Sequence, residues 1–245
     1  DDRNEFKSFL HFLSINYENR HQQPENLELI ETIILYYKND ILKYFKNSEI
    51  INIFIRDNKL LLFLIKSEIV TADRFFFTKL DDLSQIYFFN EVKDYFNEEK
   101  KKEIMSKITE NYEQKRQIGE NDTYLCEIIR KDLLDDFITF VYETNIPLSS
   151  KIKRTFNETN YFLCEKDPML IEYAAFFGSI RIFNYLLLRK VEYSQSIWFY
   201  AIHGQNNELI SIIEDKIKPN DELIQKIYKE AIKCHFNDIA YHILN

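Results

Sequence analysis

Glycine is the residue that most constrains this chain, because only three occur in 245 residues, at positions 119, 178 and 204. Phosphate-binding loops such as GxGxxG and GxxxxGK[ST] need clustered glycines, so that backbone N–H groups can approach the ligand. The spacing of the three glycines excludes nucleotide-binding folds built on such loops. β-Sandwiches and barrels are also disfavoured, because their tight turns draw on Gly and Pro and only four prolines are present. The sequence therefore predicts an all-α fold.

Composition restricts the kinds of partner and the cellular compartment that are expected for this chain. A hydrophobic content of 45% predicts a packed core rather than disorder, and a net charge of −8 argues against nucleic-acid binding. The longest apolar runs, 60–65 and 33–37, are far shorter than the roughly 18 residues of a membrane span, so no membrane partner is expected. Three cysteines without CxxC spacing predict free thiols in a reducing, intracellular compartment, which we expect to be the cytoplasm. The same spacing predicts no metal centre.

The chain divides by pattern into two regions. Residues 1–118 read as successive amphipathic helices, the first with a stripe formed by Phe6, Phe9 and Leu10. Residues 97–118 are strongly charged and predict a solvated helix that ends near Gly119. We therefore expect an N-terminal helical region over 1–118 and a different region over 119–245. Because the chain opens without a Met, we also expect it to be a piece of a longer or processed protein.

The second region repeats a helix-turn-helix pattern. In residues 169–188, small Ala174 and Ala175 precede Gly178, where a turn favours a positive φ, and an apolar helix stripe follows. The pattern recurs 27 residues later, where Gly204 falls at the turn or one residue before it, and again 30 residues further on. It also fits 46 residues upstream, with Asp132 at the turn. Four such units predict a helical repeat solenoid, in which Gly178→Val should destabilise the turn.

This unit resembles the ankyrin repeat in its A-A-x-x-G segment at 174–178 and its I-F-x-x-L-L segment at 182–187. Residues 120–245 also resemble a divergent ankyrin-type family of unknown function from trichomonad protists. The resemblance implies a helical solenoid that binds proteins. The Thr-Pro-Leu-His signature is replaced by Met169-Leu-Ile-Glu172, so its hydrogen bonds between repeats are not expected. The short spacing between units also predicts that hairpin fingers are reduced or absent.

The resemblance assigns a recognition face to the first helices of the repeats. Its candidate partner-binding residues are Phe176, Phe177, Trp198, Phe199 and His203. Large aromatic side chains suit a binding hot spot. Core packing against neighbouring helices is the alternative, and the abundance of aromatic residues in this chain favours it.

Two groups of residues are candidate sites of chemistry. Asp132, Asp135 and Asp136 could hold a divalent metal for an all-α lyase or hydrolase, but only one acidic motif is present. In the repeat frame, Asp132 instead caps a helix from the turn. Cys234 lies beside His235 without an acidic partner in sequence, which favours a structural role. No catalytic residue and no cofactor are therefore assigned, and His11 and His21 are isolated.

The sequence as a whole favours a non-catalytic scaffold that binds an unidentified protein partner through a repeat surface. The alternative is the metal-dependent lyase or hydrolase centred on the Asp132, Asp135 and Asp136 cluster.

Overall fold

Helices account for the regular structure of this chain. The computed structural model describes residues 2–19 and 24–244. Within these residues there is no β-strand, and one isolated antiparallel bridge joins Lys151 to Met169. The prediction of an all-α fold is confirmed. Of the helices in the described ranges, none combines the length and the apolar composition that crossing a bilayer requires.

The chain forms two compact units, and one segment returns from the second to the first. The first unit comprises 1–122 with Arg154–Glu165, and the second comprises Thr123–Lys153 with Lys166–Asn245. The helices of the first unit are α1 (Asp2–Asn19), α2 (Pro24–Tyr36), α3 (Lys38–Tyr44), α4 (Asn47–Phe54), α5 (Asn58–Lys66), α6 (Arg74–Lys79), α7 (Asp82–Tyr87), α8 (Phe89–Val92), a 3-10 turn (Lys93–Tyr95), α9 (Glu98–Lys107), α10 (Tyr112–Ile118) and, in the returning segment, α13 (Tyr161–Cys164). The helices of the second unit are α11 (Tyr124–Arg130), α12 (Leu134–Thr144), α14 (Leu170–Phe176), α15 (Ile180–Leu188), α16 (Ile197–Gly204), α17 (Asn207–Lys216), α18 (Asp221–Lys233) and α19 (Asn237–Leu244).

Short polar side chains cap several helices of the first unit. Asp57 accepts a hydrogen bond from the backbone N–H of Leu60 at 2.8 Å, which starts α5. Asp73 and Asp81 cap α6 and α7 in the same way. Each carboxylate satisfies an N–H group that the helix itself leaves without an acceptor. The apolar faces of these helices then bury a common core that includes the predicted Leu10.

The charged stretch 97–118 differs from the single solvated helix that its sequence predicts. It forms two helices, α9 and α10, and α10 ends at Gly119 as expected. Arg116 is only 2% exposed, and its guanidinium makes two hydrogen bonds to the Glu91 carboxylate at 2.7 and 2.8 Å. Such a bidentate pair compensates a buried charge. Part of this stretch is therefore core, because a distant carboxylate neutralises the arginine.

The second unit contains four consecutive helix pairs. We number them pair 1 (α11 and α12), pair 2 (α14 and α15), pair 3 (α16 and α17) and pair 4 (α18 and α19). The first helix of each pair packs against the first helix of the next, and α12 also packs against α15. The apolar stripes predicted from the repeat are mostly buried, including Ile182, Phe183 and Ile210, whereas Ile232 is 46% exposed. The side chain of Leu244, which completes the last predicted stripe, lies outside the described residues, as does His21.

The turn inside each pair contains one left-handed residue. These residues are Asp132, Gly178, Gln205 and His235, with φ between +48° and +66°. They are separated by 46, 27 and 30 residues, which are the offsets of the sequence repeat. Three of the four are not glycine, so each of those three positions adopts a conformation that is costly for its residue type.

Two glycines let pairs 2 and 3 approach closely. Gly178 has a φ of +66°, and a Cβ there would lie 2.9 Å from the carbonyl oxygen of Gly204. Gly204 is the last residue of α16, where a Cβ would lie 2.1 Å from the carbonyl oxygen of Ala175. Gly204 therefore serves backbone proximity, and the positive φ of its turn belongs to Gln205.

The contact at Gly204 predicts whether an alanine at this position stabilises or destabilises the protein. Helix propensity alone would make Gly204→Ala stabilising by about 1 kcal/mol. The clash with the backbone of Ala175 should instead lower the free energy of unfolding by at least about 2 kcal/mol. Urea unfolding followed by the fluorescence of Trp198 measures this, because the single tryptophan lies in the second unit.

Ser211→Ala is the control for this variant, since Ser211 is an exposed position of α17. It should leave the unfolding midpoint nearly unchanged. A Gly204→Ala protein as stable as the wild type would contradict the close approach of α14 and α16.

Candidate functional site

The predicted recognition residues lie where the first helices of neighbouring pairs meet. Phe176 is fully buried, and its ring stacks on the imidazole of His203 with centroids 5.2 Å apart. Phe177 is half-buried and meets Phe176 edge to face at 5.0 Å. The guanidinium of Arg130 lies 5.8 Å from the centre of the Phe177 ring. The structure thus brings three of the five predicted residues into one cluster.

The other two predicted residues share helix α16. Trp198 is 2% exposed, and its indole N–H has no hydrogen-bond partner among the described residues. Phe199 is half-buried.

The surface role assigned from sequence therefore needs correction for Phe176, Trp198 and His203. First helices pack on first helices, so side chains on that face fill the space between pairs. A side chain enclosed in this way offers almost no area to a partner. Of the predicted recognition residues, Phe177 and Phe199 retain partial exposure. The abundance of aromatic residues, which favoured core packing, was the informative signal.

Asp132 links pair 1 to pair 2. Its carboxylate oxygens accept hydrogen bonds from the backbone N–H groups of Arg181 and Ile182, at 3.0 and 2.9 Å. These groups belong to the first turn of α15, so Asp132 caps a helix of the next pair rather than α12, which follows it in sequence. In the opposite direction, the hydroxyl of Ser179 donates to the carbonyl oxygen of Ile129 at 2.6 Å. Within the described residues, the donor atoms of Asp132, Asp135 and Asp136 do not form a group close enough to share one metal ion.

Glu172 links pair 2 to pair 3. One of its oxygens accepts from the backbone N–H of Met169 at 2.9 Å, at the start of α14. The other accepts from the hydroxyl of Ser196 at 2.6 Å, directly before α16. The segment 169–172 therefore supplies a hydrogen bond between pairs, which was not predicted from the sequence. The carboxylate of Glu172 provides it.

A histidine network links pair 3 to pair 4. The Nε2 atom of His203 lies 3.0 Å from a carboxylate oxygen of Glu230, and the Nδ1 atom lies 3.6 Å from the sulfur of Cys234. Lys233 donates to the other oxygen of Glu230 at 2.9 Å. Among the described residues, His203, Glu230 and Cys234 are the group whose donor atoms lie close enough to share a metal ion. The sequence predicted a structural role for Cys234 beside His235, and the structure brings His203 and Glu230 to it instead.

Burial fixes the protonation states of this network. Burial lowers the pKa of His203, which keeps the imidazole neutral at pH 7. Partial burial opposes ionisation of Glu230, but hydrogen bonds from His203 and Lys233 outweigh it and hold its pKa at about 2. Burial raises the pKa of the Cys234 thiol, so it stays protonated. A neutral imidazole can then donate through Nε2 and accept through Nδ1, which satisfies all the groups without charge transfer.

This protonation pattern argues against covalent chemistry at Cys234. The order thiol, imidazole, carboxylate resembles that of a nucleophile with its base, but the attacking species must be a thiolate. Cys234 and His203 are 0% and 1% exposed, so a substrate has no route to them in this conformation. The network is best described as a buried polar link between pairs.

The second helices carry the apolar surface that the sequence did not indicate. Tyr142 at the end of α12 is 83% exposed, and Leu188 at the end of α15 is 82% exposed. The two residues are separated by the same 46 positions that relate pair 1 to pair 2. Ile138 lies one turn before Tyr142 on the same face of α12 and is 37% exposed. We call these three residues the second-helix patch.

Comparison with known proteins does not place the chain in a family. No protein-family model matches it, and neither the curated proteins nor the solved structures contain a significant match. The resemblance to ankyrin repeats therefore stays a prediction from the sequence.

The cap provided by Asp132 can be tested by substitution. Asp132→Ala removes the acceptor for two N–H groups of α15 and leaves alanine in a left-handed turn. The free energy of unfolding, followed by Trp198 fluorescence, should fall by about 1–2 kcal/mol. Asparagine at position 132 keeps an acceptor and tolerates the left-handed conformation, so the free energy of unfolding should fall by less in Asp132→Asn. Asp135→Ala is the control, because it removes an exposed carboxylate three residues after the same turn residue. Its free energy of unfolding should change least. Equal stability of Asp132→Ala and Asp135→Ala would contradict the cap.

The histidine network predicts a pH dependence. Because the folded pKa of His203 lies below its usual 6.5, the unfolded chain binds this proton first as the pH falls. The stabilisation that His203 contributes is therefore fully present above pH 6.5. As the pH falls toward the folded pKa, the free energy of unfolding decreases by up to about 1.4 kcal/mol per pH unit. His203→Gln should show a shallower loss between pH 7 and pH 5 in urea unfolding.

His242→Gln is the matched control, because His242 is exposed although it also contacts a carboxylate, that of Glu214. Its pH profile should follow that of the wild type. If His203→Gln and the wild type have parallel profiles, His203 is not held neutral by burial.

Proposed function

We propose that the second unit is a non-catalytic protein-binding module, built as an ankyrin-like stack of helix pairs. The repeated position of the left-handed turn residue supports this, since a shared turn geometry is expected of repeated units. The hydrogen bonds of Asp132 and Glu172 support it too, because each joins one pair to the next. A stack of this kind needs no reaction centre, and its function depends on the surface it presents.

The observation that carries the proposal is the exposure of the second-helix patch. Isolated apolar side chains are common on protein surfaces, but grouped ones often mark a binding site. Tyr142 and Leu188 occupy equivalent positions on α12 and α15, two helices that pack side by side. Ile138 extends the apolar area along α12. The partner-binding surface is thus proposed on the second helices, rather than on the first helices indicated by the family resemblance.

Charge around the patch indicates what kind of partner it fits. Helix α12 carries Asp135, Asp136 and Glu143 and contains no basic residue. Arg189 and Lys190, both exposed, directly follow Leu188. A complementary partner segment would place basic side chains over α12, apolar side chains over the patch and acidic side chains at the far end. Complementary charges of this kind fix the register of a complex more than its affinity.

The cysteines support a reducing environment, which we propose to be the cytoplasm. Cys126, Cys164 and Cys234 are all free thiols, and two of them are buried. Free buried cysteines are common where thiols are kept reduced.

A peptide selection tests the proposed surface. Displayed peptides selected on the full chain should carry apolar residues with Lys or Arg toward one end and Asp or Glu toward the other. Their Kd should rise by at least about tenfold in the double variant Tyr142→Ser with Leu188→Ser, because both apolar contacts are lost. Isothermal titration calorimetry measures the Kd.

Tyr241→Ser is the matched control, since Tyr241 is a 74% exposed tyrosine of the same unit outside the patch. It should leave the Kd unchanged, and Trp198 fluorescence should show that all variants remain folded. Selected peptides that bind the double variant as tightly as the wild type would refute a binding surface at this position.

A further inference from the structure

The first unit contains a half-open cavity of about 440 Å³. Cavities that hold small molecules usually range from about 300 to 1,000 Å³. Three parts of the chain form its walls, namely the junction of α4 with α5, the junction of α6 with α7, and the returning segment Arg154–Glu165. The cavity is therefore large enough for a metabolite.

Three cations line this cavity. Arg56 and Lys79 are exposed, and within the described residues neither forms an ion pair. The guanidinium of Arg56 lies 4.9 Å from the centre of the Tyr161 ring, and the ammonium of Lys79 lies 5.0 Å from the centre of the Phe75 ring. Contact with an aromatic face orients a cation without neutralising its charge. The positive charges of Arg56 and Lys79 thus remain available to a ligand.

The carboxylates that line the cavity already have partners. Asp81 accepts from the backbone N–H of Ser84 at 2.7 Å and from Nη1 of Arg154 at 2.8 Å. Glu165 accepts a hydrogen bond from the hydroxyl of Tyr161. The lining therefore holds three cations and two carboxylates, a net charge of +1, and Arg56 and Lys79 are the two cations without an ion-pair partner among the described residues.

One donor in the wall has no acceptor. The Nε atom of Arg154 is buried and makes no hydrogen bond within the described part of the chain. A buried donor without an acceptor costs free energy, so natural proteins rarely retain one without a reason. An oxygen atom of an anionic ligand bound in the cavity would supply the acceptor.

We propose that this cavity binds a small oxyanion, a metabolite bearing a phosphate or carboxylate group, through Arg56, Lys79 and Arg154. The chain carries a net charge of −8, so its overall field does not attract anions. Saturable binding of an anion therefore requires a local group of positive charges such as this one. This inference concerns the first unit and is independent of the protein-binding function proposed for the second.

Titration calorimetry with inorganic phosphate and with citrate, at constant ionic strength, tests the site and distinguishes the two anion classes. The full chain should bind at least one of the probes at a single class of site. Arg56→Gln and Lys79→Gln should each raise the Kd by about tenfold or more, because each removes a charge-assisted contact. Tighter binding of phosphate assigns a phosphate group to the ligand, and tighter binding of citrate assigns a carboxylate.

Arg74→Gln is the matched control. Arg74 also lies over aromatic rings, those of Phe77 and Tyr95, but it does not line the cavity. The Kd of Arg74→Gln for each probe should equal that of the wild type. Absence of saturable binding for both probes would overturn the proposal, as would a loss of affinity in Arg74→Gln equal to that in Arg56→Gln.

Discussion

The close approach of two backbones organises the second unit of this protein. The Cα of Gly204 lies so near the carbonyl oxygen of Ala175 that no side chain fits between them. The backbone nitrogen of Gly178 lies at the same contact between α14 and α16, 3.0 Å from where a Cβ of Gly204 would stand. Because these first helices pack without intervening side chains, the aromatic residues beside the contact become enclosed. The burial of Phe176, Trp198 and His203 follows from that enclosure.

Polar side chains complete the connection between pairs at the turns. Asp132 caps α15, Glu172 binds Ser196, and His203 binds Glu230. Each of these interactions joins helix pairs that are neighbours in the chain. They make each pair depend on its neighbours, as is expected when one pair cannot bury its apolar face alone. Tyr142 and Leu188 on the second helices take no part in these interactions and stay exposed, which is why we propose the binding surface there.

The sequence predicted the features that depend on local pattern. Helix type, the four turns and most buried positions follow from apolar periodicity and from glycine, since both act over a few residues. The sequence did not predict features that depend on distant partners. Arg116 is buried because Glu91 neutralises it, and Asp132 caps a helix 49 residues away. The burial of Phe176, Trp198 and His203 depends in the same way on a distant element, because periodicity identifies an apolar face without identifying which element covers it.

Hydrogen exchange of individual amides tests most directly whether the turns hold neighbouring pairs together. The N–H groups of Arg181 and Ile182 lie in the first turn of α15, where a helix supplies no acceptor of its own. With Asp132 as their acceptor, they should exchange at least about tenfold more slowly than the first-turn amides of Asp135 and Asp136 in α12. The protection should disappear in Asp132→Ala while the rest of α15 stays protected. Equally fast exchange of both sets in the wild type would contradict the account.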